Sequence, residues 1–195
     1  TASTAPLKLT SGTKLTTAEA GAVEYNGNFL LNNATLRFPV GGTLFDFTTD
    51  ATAGGAEGDI YSATLAANTF NGNGDKVFAS YGGNFVTAGT ELTQLLVKFA
   101  NTTIWDSTSV SPSAGTTSWR VHAELIRVSS TVIRYTISLI AAGASTYVTC
   151  AVGELTGLTL SGTNILLLRG ASSGVGSGSG DIVGKMASIL FHPAA

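Results

Sequence analysis

Charged side chains are scarce in this sequence. Asp, Glu, Lys and Arg make up 11% of its 195 residues, against about 25% in typical globular proteins. The 10 Lys and Arg residues are scattered, and the formal net charge is -2. The chain therefore lacks the basic patch through which proteins bind nucleic acid or anionic lipid, and we expect neither partner.

Cysteine is also nearly absent, and the sequence shows no secretory targeting signal. Cys150 is the single cysteine, which excludes an internal disulfide framework and a thiolate zinc cluster. No basic segment followed by an apolar run marks a secretory signal. Residues 135–153 carry no charge, but their hydroxyl residues and period of two predict strands rather than a membrane span. The start at Thr1 is what removal of an initiator methionine leaves, so we expect a complete gene product.

Hydroxyl residues and glycine take the place of charge. The chain holds 28 Thr, 19 Ser and 24 Gly, so its polar surface is built from hydroxyl and amide groups. A soluble monomer usually carries more charge to stay in solution. We interpret this composition as an indication of large protein–protein contacts.

The apolar pattern divides the chain into an arm, residues 1–58, and a body, residues 59–195. Residues 1–20 are rich in Thr, Ser and Ala with only short apolar points and cannot bury much by themselves, so we expect this segment to lie on another surface. Within the arm, the stretch 21–32 predicts a β-hairpin around Asn26-Gly27-Asn28. The predicted attachment or oligomer-interface residues are Leu7, Leu9, Leu15, Val23, Tyr25, Phe29 and Leu31.

The body has the pattern of an all-β protein. Short apolar runs separated by turn signals predict strands at 60–65, 76–81, 92–99, 102–105, 119–128, 132–142, 146–152, 165–168 and 182–191. Turns are predicted at 71–74, at Gly82-Gly83, at 129–130, at 142–143 and in the glycine-rich loop 170–180. This number of strands predicts an antiparallel jelly-roll β-sandwich, and no segment has a sustained helical period.

The sequence gives little evidence for a catalytic or metal-binding site. His122 alternates with charged residues on a predicted strand, and no second His or Cys lies at ligand spacing, so we interpret it as a solvated residue. The serines of the 170–180 loop lack a nucleophile elbow, and the loop precedes a strand, unlike a phosphate-binding loop. Four acidic residues near the domain boundary fit calcium or solvent better than catalysis: Asp46, Asp50, Glu57 and Asp59. We expect no catalytic residue, metal or cofactor.

Aromatic residues offer one further kind of site. Tyr81, Phe85 and Trp105 lie at or near predicted loops, where exposed rings would stack on a sugar. The alternative is that these rings belong to the core of the sandwich. The sequence is compatible with both interpretations.

The first part of the chain resembles a segment of bacteriophage tail-fibre, neck and head-appendage proteins. In residues 5–27 the shared pattern runs from Pro6-Leu7 through a Thr-x-Gly-Thr turn to the hairpin sequence Ala20-Gly21-Ala22-Val23-Glu24-Tyr25-Asn26-Gly27. The body resembles the jelly-roll part of such proteins at three short motifs, Asp59-Ile60-Tyr61-Ser62, Asn73-Gly74-Asp75 and the Trp119 strand that ends in Leu125-Ile126-Arg127.

The resemblance implies a non-enzymatic virion structural protein, commonly a homotrimer, whose arm attaches it to another virion protein such as the major capsid or a tail protein. Since no coiled-coil or collagen-like shaft is present, a capsid decoration (cement) protein or a small fibre subunit fits best. Such a protein is made in the host cytoplasm and ends on the capsid or tail surface. The alternatives are a carbohydrate-binding knob that recognises a host surface glycan and, third, a hydrolase of the host envelope.

Overall fold

A computed structural model describes residues 23–25, 29–33, 36–39, 43–142, 147–192 and 194. All regular elements among these residues are β-strands, and their sheets are antiparallel. No helix in this part of the chain is long and apolar enough to cross a membrane. The predicted all-β class is therefore confirmed.

The chain divides into two compact units, Thr1–Thr43 and Leu44–Ala195. In the first unit, three short strands form one sheet in the order β1-β2-β3. Their bounds are Val23–Tyr25 (β1), Phe29–Asn33 (β2) and Leu36–Pro39 (β3). The predicted hairpin is present as the β1–β2 pair.

The second unit contains two sheets. The larger has the order β12-β11-β10-β7-β14-β4, and β5 also pairs with β14. Its strands are Thr43–Phe47 (β4), Ala51–Ala53 (β5), Lys76–Thr87 (β7), Gly115–Ser129 (β10), Val132–Ala141 (β11), Tyr147–Leu155 (β12) and Ile182–His192 (β14). The smaller has the order β6-β13-β8-β9, with strands Gly58–Leu65 (β6), Leu92–Phe99 (β8), Thr102–Asp106 (β9) and Asn164–Ser173 (β13).

The boundary between the units lies earlier than the sequence predicts. It falls after Thr43 rather than after Gly58. The physical reason is that β4 and β5, which precede Gly58, add to the β14 edge of the larger sheet. The last part of the predicted arm thus contributes two short strands to the second unit.

The long hairpin β10–β11 shows how the sequence builds the core. Trp119, Val121, Ala123 and Leu125 are buried, whereas the residues between them face away from the core. In β11 the same alternation buries Ile137. Because side chains alternate across a strand, the apolar and polar faces of this hairpin follow directly from the period of two in its sequence.

The inner faces of the two sheets pack against each other. The rings of Tyr61 on β6 and Tyr81 on β7 are stacked with centroids 6.3 Å apart. A Cβ atom at Gly184 on β14 would lie 2.5 Å from Ile60 Cγ2 on β6. The two backbones approach this closely because one of the two facing positions has no side chain.

Gly82-Gly83 does not form the predicted turn. Both residues lie inside β7, where Gly83 pairs with Trp119 on one side and Gly184 on the other. The Trp119 ring lies against Gly83, with Cζ2 2.5 Å from where a Cβ would be. The glycine pair therefore makes room for a large ring and a close strand, which local sequence signals do not distinguish from a turn.

The glycine-rich loop between β13 and β14 is held at its base. Asp181 Oδ2 accepts hydrogen bonds from the Ser172 hydroxyl at 2.5 Å and from the Gly178 N–H at 2.8 Å. A strand follows this loop, as predicted, so it does not have the strand-to-helix geometry of a phosphate-binding loop.

Candidate interaction surface

The predicted attachment residues belong to the first unit. Leu7, Leu9 and Leu15 lie outside the described residues. In the β1–β2 hairpin, Val23 pairs with Leu31 and Tyr25 with Phe29. Directly opposed residues of an antiparallel pair occupy the same face, so these four positions share one face of the hairpin. Val23 is 58% exposed. The attachment role of this face stays a prediction.

The predicted sugar-stacking platform is wrong. Tyr81, Phe85 and Trp105 are only 1%, 0% and 5% exposed. Tyr81 and Phe85 lie in phase with the buried residues Val77 and Ala79 along β7, and the Phe85 ring packs 6.2 Å from that of Trp119. Tyr81 and Phe85 belong to the core because β7 continues through the expected turn and keeps its alternation across it, and Trp105 is buried on β9 of the smaller sheet.

Several polar atoms in this core have no hydrogen-bond partner among the described residues: Tyr61 Oη, Tyr81 Oη, Thr117 Oγ1 and Trp119 Nε1. Burial raises the pKa of the Tyr81 phenol above its ordinary value. Since an unpaired buried hydroxyl costs about 1–3 kcal/mol, we expect Tyr81→Phe to raise the free energy of unfolding by about 1 kcal/mol. Urea denaturation measures this change.

Tyr147→Phe is the matched control for that experiment. The Tyr147 hydroxyl donates a hydrogen bond to the Ser107 carbonyl at 2.7 Å, so its loss should lower the free energy of unfolding by about 1 kcal/mol. Equal destabilisation by the two substitutions would contradict the assignment of Tyr81 as unpaired.

The acidic residues near β5 and β6 pair with cations of the chain. Lys98 forms an ion pair with Glu57 at 2.8 Å, and Arg169 bridges Glu57 and Asp59. The hydrogen bond from Lys98, together with the charge of Arg169, outweighs partial burial and holds the pKa of Glu57 below its ordinary value. Among the described residues no three His, Cys, Asp or Glu groups lie close enough to hold a metal ion.

His122 lies on the face of the larger sheet that is turned away from the smaller sheet. We call this the outer face; it is formed by the alternate residues of β7, β10, β11, β12 and β14 that lie out of phase with the core. His122 pairs with Ser138 on one side and Ser80 on the other. Partial burial, and secondarily the charge of Arg120, lower the pKa of His122, so its neutral form is favoured.

The outer face carries most of the large apolar side chains that the second unit exposes. They are Val86 (42%), Ile140 (50%), Val148 (64%), Val152 (76%) and Met186 (52%). The strand register joins three of them in one row across the sheet, because Val148 pairs with Ile140, Ile140 with Arg120, Arg120 with Gly82, and Gly82 with Met186. Val148 and Ile140 are direct neighbours in this row, and adjacent exposed apolar side chains indicate a contact surface.

A groove interrupts this row at the glycine pair. It has a volume of about 490 Å³, with Gly82, Gly83 and Trp119 among its lining residues and Ile140 and Met186 on opposite sides. Two cations, Arg120 and Lys185, also line the groove, and Lys185 is paired with Asp50. The lining of the groove is mainly apolar. The groove forms because two consecutive glycines leave the middle of β7 without side chains.

Sequence reasoning missed this surface although its signal is present. Val148, Cys150 and Val152 alternate along a strand whose intervening residues turn towards the core. The sequence predicts that strand from its β-propensity. Because neither set of alternating residues in the predicted strand carries a charge, the pattern does not indicate which face is buried. The register with β11 decides the matter, because it pairs Val148 with the exposed Ile140 and Thr149 with the buried Leu139.

Comparison with known proteins does not identify the chain. It has no significant match to a protein-family model, a curated protein or a solved structure. A functional proposal therefore rests on the geometry of the outer face, on composition and on the resemblance of the first 27 residues.

Proposed function

We propose that this protein is a non-enzymatic structural subunit of a bacteriophage virion, either a trimeric capsid decoration protein or a small head or tail fibre subunit. The observation that carries the proposal is the outer face of the larger sheet, with its exposed apolar side chains. The resemblance of residues 5–27 to phage appendage proteins supplies the context. Its partners are other copies of the chain and a major capsid or tail protein.

We further propose that the body is a jelly roll. The strand order supports this topology, because β5, β14, β7 and β10 lie side by side in one sheet and β6, β13, β8 and β9 in the other. Apart from the hairpins β8–β9 and β10–β11–β12, sequential strands from β5 onward alternate between the two sheets, in the manner of two interleaved Greek keys. In this proposal the hairpin β11–β12 is an extension beyond β10.

The low charge of the chain suits a subunit that is buried in an assembly. Burial of an unpaired charge is costly, whereas burial of a hydroxyl group costs less and burial of a valine side chain is favourable. Several described charged groups are already paired within the chain, including Glu57, Asp59 and Arg169. Contacts with neighbouring subunits would then depend on apolar burial and hydrogen bonds, and their strength should change little with salt.

The oligomeric state is the first test. We expect light scattering on the purified full chain to give three times the 19.8 kDa chain mass, with little change between low and high salt. Closed symmetric homo-oligomers are the usual form of such assemblies. A stable monomer at micromolar concentration would contradict the trimer.

The location of the protein is tested separately. An antibody raised against the recombinant chain should label gradient-purified virions from the source of the gene, and fractionated heads and tails would show which part carries the protein. Virions without this chain would overturn the proposal whatever the oligomeric state.

The aromatic residues on which the glycan-binding alternative depends are not accessible to a sugar. Tyr81, Phe85 and Trp105 are buried, and the groove at Gly82 presents Trp119, which is only 3% exposed. Sugar recognition usually relies on an accessible aromatic face. We therefore propose the structural role and not the receptor-binding one.

A further inference from the structure

The strand β12 ends the larger sheet on one side. Among the described residues it pairs with β11 alone. Edge strands in soluble proteins are commonly protected by lysine, proline, a bulge or short length. This strand has nine residues, no bulge against β11, and no charge from Tyr147 to Gly153. Its free edge is therefore suited to pairing with another strand.

The hydrogen-bond pattern shows which residues of β12 face that edge. The Ala142 N–H donates to the Ser118 carbonyl at 2.8 Å, so the pairing of β10 with its neighbour is hydrogen-bonded at this point. Hydrogen-bonded and non-hydrogen-bonded pairs alternate in antiparallel sheets. The N–H and C=O of Leu139 therefore point towards β12, and those of its partner Thr149 point back.

The residues next to Thr149 consequently turn their backbone groups outwards. Val148, Cys150 and Val152 direct N–H and C=O to the free edge, and their side chains lie exposed on the outer face. The same three residues thus offer both the hydrogen bonds and the apolar contacts of a new strand pair.

We propose that a second copy of this chain docks on this edge, β12 against β12 and antiparallel, with the two-fold axis at Cys150. In this register Val148 of each copy lies opposite Val152 of the other. Self-pairing places every side chain of the strand in the contact twice, so it favours a strand without charge, and Glu154 falls beyond the last of the seven pairs. A register centred on Ala151 would instead set the Glu154 carboxylate opposite Val148, which is unfavourable.

The size of the contact determines when it forms. Seven residues at about 3.4 Å each give a contact about 24 Å long, whereas stable interfaces usually involve about 20–30 residues a side. We therefore expect β12 pairing between subunits that are concentrated or held together by other contacts. The inference goes beyond the proposed function, because it needs no virion and assigns the contact to particular residues.

Disulfide trapping tests the register. In a Cys150→Ala background, Val148→Cys and Val152→Cys are made separately, mixed at high concentration and oxidised with copper phenanthroline. Opposed residues of a hydrogen-bonded pair have Cα atoms about 5.5 Å apart, within the range of a disulfide. The mixture should give several-fold more covalent dimer on a non-reducing denaturing gel than either variant alone, whose cysteines would be about 13 Å apart.

Thr136→Cys in the same background is the matched control. It is exposed on the outer face and pairs with Val152, but it lies one strand in from the edge. Mixed with Val148→Cys, it should give no covalent dimer above the level of either variant alone. Circular dichroism and thermal unfolding check that all variants are folded.

A charge at the edge provides a second measurement. With Cys150 retained, Val152→Lys should reduce the Cys150–Cys150 dimer several-fold, because it sets a hydrated ammonium group against Val148 of the other copy in place of an apolar contact, whereas Thr136→Lys should leave it unchanged. Failure of Val148→Cys and Val152→Cys to cross-link preferentially, or a stronger link between Cys150 and Val152→Cys, would overturn the proposed pairing. Neither result depends on the trimer mass or on virion labelling, so the two proposals fail separately.

Discussion

Replacing Gly83 by alanine is expected to lower the free energy of unfolding by about 3 kcal/mol. A Cβ at this position would overlap the Val183 carbonyl oxygen and lie 2.5 Å from Trp119 Cζ2. Gly83 is in a central strand with a hydrogen-bonded neighbour on each side, so its backbone has no free direction in which to move. Relief requires displacing the Trp119 ring or separating β7 from β14.

The neighbouring Gly82→Ala is the control, since it changes the same residue type in the same strand. Its Cβ would approach Met186 Cγ at 3.3 Å, and the Met186 side chain is flexible and half exposed. We expect a change of less than about 1 kcal/mol. Urea denaturation of the two variants measures the difference, and equal losses would contradict the steric explanation for Gly83.

Asp75→Ala should also lower the free energy of unfolding by about 3 kcal/mol. The carboxylate is 3% exposed and accepts hydrogen bonds from the N–H groups of Asn71 (2.7 Å), Gly72 (2.5 Å) and Ala194 (2.8 Å). It therefore holds the turn before β7 and a residue next to the C-terminus at one point. Alanine would leave these donors without their acceptor.

Two other substitutions separate this effect from a general loss of charge. Asp50→Ala removes an acidic residue whose ion pair with Lys185 is exposed, and such pairs contribute about 0–1 kcal/mol. Asp75→Asn keeps the shape and one acceptor oxygen, so it should fall between the two. If chemical denaturation gave the same value for Asp75→Ala and Asp50→Ala, the turn-holding role would be wrong.

Much of the fold could be predicted from strand periodicity. The nine strands expected in the body all occur, and the β10–β11 hairpin has the predicted buried and exposed residues. These elements were predictable because β-branched and aromatic residues alternate with polar ones over a sufficient length. Tyr81 and Phe85 are also in phase with the core, but the glycine pair between them predicts a turn, and that turn signal ends the predicted strand at Tyr81.

The candidate surface was less predictable. Whether Val148 and Val152 are buried or exposed depends on what covers β12, and that is a relation between distant segments. The register that joins Val148, Ile140 and Met186 in one row arises from pairing of strands that are separated in sequence. No local pattern contains this information, since a residue pair formed by tertiary folding leaves no periodic trace in the chain.

The sequence by itself determined the all-β class, most strand positions and the uncharged character of the surface, because these depend on the period and type of neighbouring residues. Only the tertiary structure decided that Gly82 and Gly83 continue a strand, that Tyr81, Phe85 and Trp105 are core residues, and that β12 is an edge. The physical reason is that burial and strand order result from packing of one sheet on another. Local propensity limits these arrangements but does not select among them.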